Sequence, residues 1–355
     1  MIEIDTVLIL GAGASIPFGF PSGQNLVDIV CLRLLSPQLM KALTPFEKLF
    51  NRGWNEAFDI LKSTFDEQNL RTFAKRLSNS GESSVDAFLE SQKEPFVEIG
   101  KAAIAASLLP CEQQKAPFRH FIDMRMRRDG SKELQNNYKK NWYQYLWEEL
   151  NTPFEDFGAN KLSIITFNYD RSLENYLFTA LKNKYPDKTD DEYAKKVQSI
   201  PVIHVHGKLG IFPWEAPKLD LKNVVPYDSM SFASCHGLSD NNGKIYRPIW
   251  FNNAKNSIKV MHEGTDKSEE FEQAHEKISK AQQLYFLGFG YHPTNLRRLN
   301  PDVLKKPNTI KGTIYGLSHS RILNIERQGI SVFNRKNNNL FNDKIYDFLH
   351  DHICF

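Results

Sequence analysis

Apolar residues along the chain follow two different spacings. Short apolar runs recur at Thr6–Leu10, Leu162–Phe167, Val202–Val205, Leu284–Leu287, Thr313–Tyr315 and Ile330–Phe333. Their length and composition predict buried strands. Between the later runs, apolar residues return at helical spacing. Leu173, Tyr176, Leu177, Ala180 and Leu181 share one helical face, Ser268 can cap a helix running to Gln283, and Leu340–Ile353 predicts a closing helix. Six strands separated by helices predict an α/β fold with a six-stranded parallel, doubly wound, Rossmann-like sheet.

The interval between the first and second runs differs. From about Asn25 to Asn151 no comparable strand signal appears. Trp54, Phe58, Leu61 and Phe65 recur at helical spacing; Ser84 can cap a helix carrying Val85, Phe88 and Leu89, broken near Pro95. Phe96, Ile99, Ala103 and Ile104 continue the pattern, as do Trp142, Tyr145, Leu146 and Leu150. These stripes read as core. The chain therefore divides into a Rossmann-like nucleotide-binding domain, residues 1–24 and 152–355, and a helical insertion module, residues 25–151. Pro17, Gly19, Pro21 and Gly23 predict a loop that can cover the strand ends, and about Leu209 to Gly264 reads as irregular.

Composition narrows the class. With 355 residues, 41% apolar and 25% charged, the chain is an ordinary soluble globular protein with ample core. A net charge of +3 is too small to imply direct nucleic-acid binding, and the run Arg125, Arg127, Arg128 and Lys132 reads as a solvated face. No apolar run approaches the ~18 residues of a membrane span. Glu3 and Asp5 precede the first run without a basic n-region, so the expectation is a cytoplasmic protein. Cys31, Cys111, Cys235 and Cys354 lack the paired spacing of a four-cysteine zinc site and read as reduced thiols.

The candidate chemistry lies just past the strands, where open α/β sheets bind ligands. Gly11-Ala12-Gly13-Ala14-Ser15 follows the first strand. Glycine lets the backbone approach a pyrophosphate, and free N–H groups can receive the anion. The third glycine of G-x-G-x-x-G is missing, since Ile16 stands there. Gly288-Phe289-Gly290 and Gly316 make later turns. Asn168 and Asp170 follow the second strand, and His206-Gly207 the third. An imidazole accepts a proton near neutral pH, an amide orients a water or a carboxamide, and a carboxylate opposes developing positive charge. Each also admits a structural role: Asn168 as a helix N-cap, Asp170 as a first-turn carboxylate, His206 as a satisfied turn residue. His204-Val205-His206, with Asp170, leaves a metal-dependent hydrolase as an alternative.

Taken in order, Gly11-Ala12-Gly13-Ala14-Ser15, Thr166-Phe167-Asn168-Tyr169-Asp170 and His206-Gly207 resemble the three signatures of the sirtuin fold. They are most similar to a zinc-lacking bacterial branch of antiphage defence that hydrolyses NAD. Ser84-Val85-Asp86-Ala87-Phe88-Leu89 resembles a helical motif of that branch, and Leu287-Gly288-Phe289-Gly290 its late nucleotide-binding turn. The resemblance spans about Val7 to Gln328. It implies a sirtuin-type sheet and an NAD glycohydrolase with Asn168, His206 and Asp170 catalytic. It further implies NAD contacts from Gly11, Ala12, Gly13, Ala14, Ser15, Asp86, Thr166, Phe167, Gly207, Gly288, Phe289, Gly290 and Gly316. NAD would be the substrate and zinc absent. Activation would come from a homo-oligomer or a partner such as a HerA-type ATPase, with NAD depletion as an abortive-infection response. The departures fit that branch better than lysine deacylation: the four zinc cysteines are missing, Pro21-Ser22-Gly23-Gln24 replaces Asp-Phe-Arg, and Phe167 replaces Gln. A non-catalytic NAD-binding sensor or structural subunit has nearly the same sequence requirements and remains the alternative.

Overall fold

A computed structural model describes residues 1–35, 45–112, 140–215, 247–260, 268–327 and 339–355. Its centre is a six-stranded sheet of β1 (Thr6–Leu10), β2 (Leu162–Thr166), β3 (Val202–His204), β4 (Gln283–Leu287), β5 (Thr309–Thr313) and β6 (Leu340–Phe341). The strand order is β3-β2-β1-β4-β5-β6, and every pairing is parallel. This is the Rossmann-like order, in which the chain reverses direction across the sheet between β1 and β4.

Alternation along each strand feeds two cores. Leu8, Leu10, Ile164, Tyr285 and Leu287 point to one face, and Val7, Ile9, Ile165, Leu284 and Phe286 to the other. All ten are nearly inaccessible, so the sheet is covered on both sides. The helix Glu269–Lys280 covers the second face through Phe271, Ala274 and Ile278. The described residues between β1 and β2 are helical. They cover the first face through Trp54, Phe73, Leu89 and Ile104, in one core with Leu8 and Ile164. Ser84 caps the helix Val85–Glu90 by accepting from Ala87 N at 3.1 Å, and Ser268 caps its helix by accepting from Phe271 N at 3.3 Å.

Several boundaries differ from those the pattern predicts. The fifth strand is Thr309–Thr313 rather than Thr313–Tyr315, and Tyr315 lies past it, 59% exposed. The sixth strand is Leu340–Phe341, so the closing helix begins only at Ile345. Ile330–Phe333 lies outside the described residues, as do Arg125, Arg127, Arg128, Lys132 and Cys235. Cys31, Cys111 and Cys354 are free thiols. The stretch read as irregular contains a helix, Arg247–Ser257, whose Phe251 and Ala254 are buried together with Ile258 just beyond it. Pro17 to Gly23 is not a loose cover: Phe18 and Phe20 are buried, and Phe18 stacks on Tyr143 at 3.7 Å. Among the described residues, no helix is long and apolar enough to cross a membrane.

Candidate functional site

Register brings the candidate residues level. Leu10 pairs with both Thr166 and Leu287, and Thr166 pairs with His204. The residues that follow, Gly11, Phe167, Val205 and Gly288, therefore leave the sheet at one height. This edge carries the reversal point between β1 and β4, the crevice where open α/β folds accept ligands.

The two glycine turns interlock across that point. Gly13 N donates to Gly288 O at 3.0 Å, and Gly11 N to Leu287 O at 3.1 Å. A Cβ on Gly11 would lie 2.6 Å from Gly288 O, and one on Gly13 would lie 2.8 Å from Gly288 Cα. Gly288 itself has φ of +57°. Close approach of backbone to backbone is thus the immediate reason for these three glycines. Ala14 N and Ser15 N donate to Gly11 O and Ala12 O, closing a 3₁₀ turn. The Gly13, Ala14 and Ser15 amides are committed within the protein, whereas the Ala12 amide makes no such bond among the described residues. Gly290 and Gly316 are exposed, and a Cβ on either would meet nothing.

Asn168, Asp170 and Ser15 form one hydrogen-bonded group. Asn168 Nδ2 donates to Gly11 O at 2.9 Å and to Ser15 Oγ at 3.0 Å. Ser15 Oγ donates to Asp170 Oδ2 at 2.6 Å. Asp170 Oδ1 accepts from Ser172 N at 3.3 Å and also from the Ser172 hydroxyl. Tyr143 OH continues the chain, 2.6 Å from Ser172 Oγ. Thr166 supports the turn from below, its Oγ1 accepting from Asn168 N at 3.0 Å. Burial raises the Asp170 carboxyl above its ordinary range, against the bonds from Ser15 and Ser172 that favour the charge. Ser172 and Tyr143 were not among the sequence candidates. Ser172, two residues past the carboxylate at a helix start, is a signal that could have been read.

His206 sits apart from that chain but beside it. Its ring is 5.5 Å from Phe167 and 6.4 Å from Tyr169, the residues flanking Asn168, and 6.4 Å from Phe271. The residue is 6% exposed, and its imidazole has no hydrogen-bond partner among the described residues. Burial pushes its pKa below the ordinary imidazole value; the Asp86 charge opposes this and the Arg298 charge reinforces it. Asp86 accepts a hydrogen bond from Tyr169 OH, which places the motif helix Val85–Glu90 against this part of the crevice. Arg298 Nη1 donates to Glu90 Oε1 of the same helix at 2.9 Å. Phe167 also meets Phe289 at 5.1 Å, linking the second strand end to the late glycine turn. Gly207, at φ of +80°, lets the backbone of Ser257–Lys259 cross directly against it; Lys259 N donates to His206 O at 2.8 Å.

The two histidines of His204-Val205-His206 have different surroundings. His204 Nδ1 lies 3.0 Å from Asn168 O and its Nε2 3.3 Å from Glu174 Oε1. Both nitrogens therefore face protein acceptors, away from any ion shared with His206. No group of three or more potential metal ligands occurs among the described residues. Glu174 belongs to a buried ionic cluster that the sequence did not disclose. Arg171 Nη2 reaches Glu174 Oε1 at 2.6 Å and Glu215 Oε1 at 2.9 Å, and its guanidinium lies 4.0 Å from the Phe212 ring centre.

Fold and site together define a Rossmann-like parallel α/β protein with a cluster of polar groups at the reversal point of its sheet. No protein-family model matches the chain, and no characterised protein matches it significantly in sequence.

Proposed function

We propose that the protein is an NAD glycohydrolase of the sirtuin-like, zinc-lacking kind that its motifs resemble. The observation that carries this reading is the placement, past adjacent strand ends and beside interlocked glycine turns, of Asn168 and a buried His206 whose imidazole has no hydrogen-bond partner among the described residues. Water and NAD would give nicotinamide, ADP-ribose and a proton, or a cyclic product if the adenine attacks instead. The bond from nicotinamide to ribose breaks as the pyridinium takes the electron pair and positive charge gathers on the ribose. The site then needs a held ribose, a guided oxygen nucleophile and negative charge nearby. Asn168 orients the water or ribose hydroxyl, His206 accepts its proton, and the Asp170 carboxylate opposes the growing charge. Burial keeps His206 neutral and ready to accept a proton near pH 7. Gly11, Gly13 and Gly288 keep the floor of the site free of side chains, and the exposed glycine turns at Gly290 and Gly316, after β4 and β5, would take the adenosine side.

In this reading the trigger is self-association or a partner such as a HerA-type ATPase, and depletion of NAD is the output. The test is nicotinamide release from NAD by the purified chain, alone and with its partner, set beside NAD affinity. His206→Ala should lose on the order of 10²–10⁴-fold in rate while still binding NAD. A folded His206→Ala protein that cleaves NAD at the wild-type rate overturns the assignment. Tight NAD binding by the wild type without turnover under any of these conditions would instead identify a sensor subunit.

A further inference from the structure

Asn168 has both amide protons taken up by the protein. Nδ2 lies 2.9 Å from Gly11 O, which can only accept, so the atom there must be the nitrogen; the flipped amide would set two acceptors against each other. The second proton goes to Ser15 Oγ at 3.0 Å. Ser15 has a single hydroxyl proton, and the Asp170 carboxylate draws it, at 2.6 Å. With that proton committed, Ser15 offers Asn168 only lone pairs. Asp170 is held in turn by Ser172, and Ser172 by Tyr143. The Asn168 backbone is fixed as well, through Thr166 Oγ1 on its N–H and His204 Nδ1 on its carbonyl. Donation therefore runs one way, from Asn168 through Ser15 to Asp170. Asn168 Oδ1 has no partner among the described residues, and the residue is only half-buried.

We propose that Ser15 and Asp170 are positioning residues that lock the Asn168 amide as a one-way acceptor. The ligand group it holds is then a hydrogen-bond donor, a water, a sugar hydroxyl or the N–H of a carboxamide, and not a carbonyl oxygen. This deepens the NAD glycohydrolase reading and rests on it for the identity of the donor; the lock itself belongs to the unliganded protein. It also gives Ser15 a task other than contact with phosphate, and Asp170 a task other than direct contact with the ribose.

The test combines kinetics with a readout that needs no substrate. Ser15→Ala should lower kcat for NAD about 10-fold or more, as misplacement of a reacting group does, with KM changed less than about two-fold. Ser15→Thr, which keeps the hydroxyl, should restore the rate. In an Asn168→Ala background Ser15→Ala should cause no further loss, because the two act as a unit. A rise in KM, or a loss that adds to that of Asn168→Ala, would overturn the proposal in favour of a phosphate contact. Crystals of the unliganded proteins decide the lock independently: Asn168 should keep its contact with Gly11 in the wild type and turn or split in Ser15→Ala. An unmoved Asn168 in Ser15→Ala overturns it. If the wild type fails to cleave NAD while this displacement is seen, the functional reading falls and the lock stands. NAD analogues lacking a nicotinamide-ribose hydroxyl identify the donor. Loss of the Asn168→Ala effect with one of these analogues assigns that hydroxyl, its loss with the analogue carrying a carboxylate in place of the carboxamide assigns the amide N–H, and an undiminished effect with all of them assigns water.

Discussion

Single residues in the crevice differ in what the protein leaves open on each. Both Asp170 oxygens are occupied by hydroxyls, both Asn168 protons are placed, and the His206 imidazole is buried with no hydrogen-bond partner among the described residues. Burial lowers the His206 pKa from its ordinary 6.5. As a general base it must be neutral, so kcat/KM for NAD should rise with pH to a plateau. The midpoint should fall below 6.5, and the limb should vanish in His206→Ala. The same shift carries a stability sign. An unfolded chain binds the proton more readily, so the His206 contribution is fully present above pH 6.5 and is lost as pH falls through the depressed value. A rate profile with its midpoint above 6.5 would show that another group is the base.

Among the elements, the turn after β1 and the turn after β4 behave as one piece. Their backbones exchange the Gly13-to-Gly288 bond and approach too closely for any side chain. Gly288→Ala would place a Cβ about 2.7 Å from Gly13 Cα at a φ of +57°. It should destabilise the protein by on the order of 1–3 kcal/mol, read as a lowered denaturation midpoint. The same clash makes Gly13→Val a poor probe of ligand binding, since it disturbs this packing before any ligand arrives. The helix Trp142–Glu149 joins the same unit: Trp142 Nε1 donates to Ala14 O at 2.9 Å, and Tyr143 stacks on Phe18. This helix therefore braces the glycine turn and, through Tyr143 and Ser172, the Asp170 carboxylate.

Across the whole molecule, the parallel sheet is held level at the site edge by ionic contacts as well as by its two cores. Arg171 joins the segment after β2 to the helix Ser172–Lys184 through Glu174, and to the turn after β3 through Glu215. Its backbone N–H donates to Glu112 Oε1, just past the 3₁₀ turn Leu109–Cys111, at 2.8 Å. Burial alone would raise the Glu174 carboxyl, but Arg171 and His204 hold it well below the ordinary carboxylate range. Its contribution to stability is therefore present above the ordinary value of 4.5 and lost as pH falls through the depressed one. Arg171→Met would strand buried carboxylates, and should lower the unfolding free energy by about 3–5 kcal/mol at pH 7. Glu174→Gln should flatten the acid limb of the stability profile. A wild-type-like denaturation midpoint in Arg171→Met would show that the cluster is not structural.

Local composition was enough to determine the strands at Thr6–Leu10, Leu162–Thr166 and Gln283–Leu287, because a strand buried on both faces must be apolar at nearly every position. The Ser84 and Ser268 caps and the helical character of the described residues between β1 and β2 were equally legible, since capping and helical spacing are short-range. Strand order, and the levelling of Gly11, Phe167 and Gly288, came only from pairing between distant segments. Gly312 lies within β5, paired with Phe286 and Leu340, and two residues suffice for β6 because β5 supplies their partners. The direction of the Asn168 amide is the sharpest case. In sequence Asn168 can donate or accept; only when Gly11 O and a Ser15 hydroxyl turned towards Asp170 converge on it is one role removed, because a carbonyl has no proton to give.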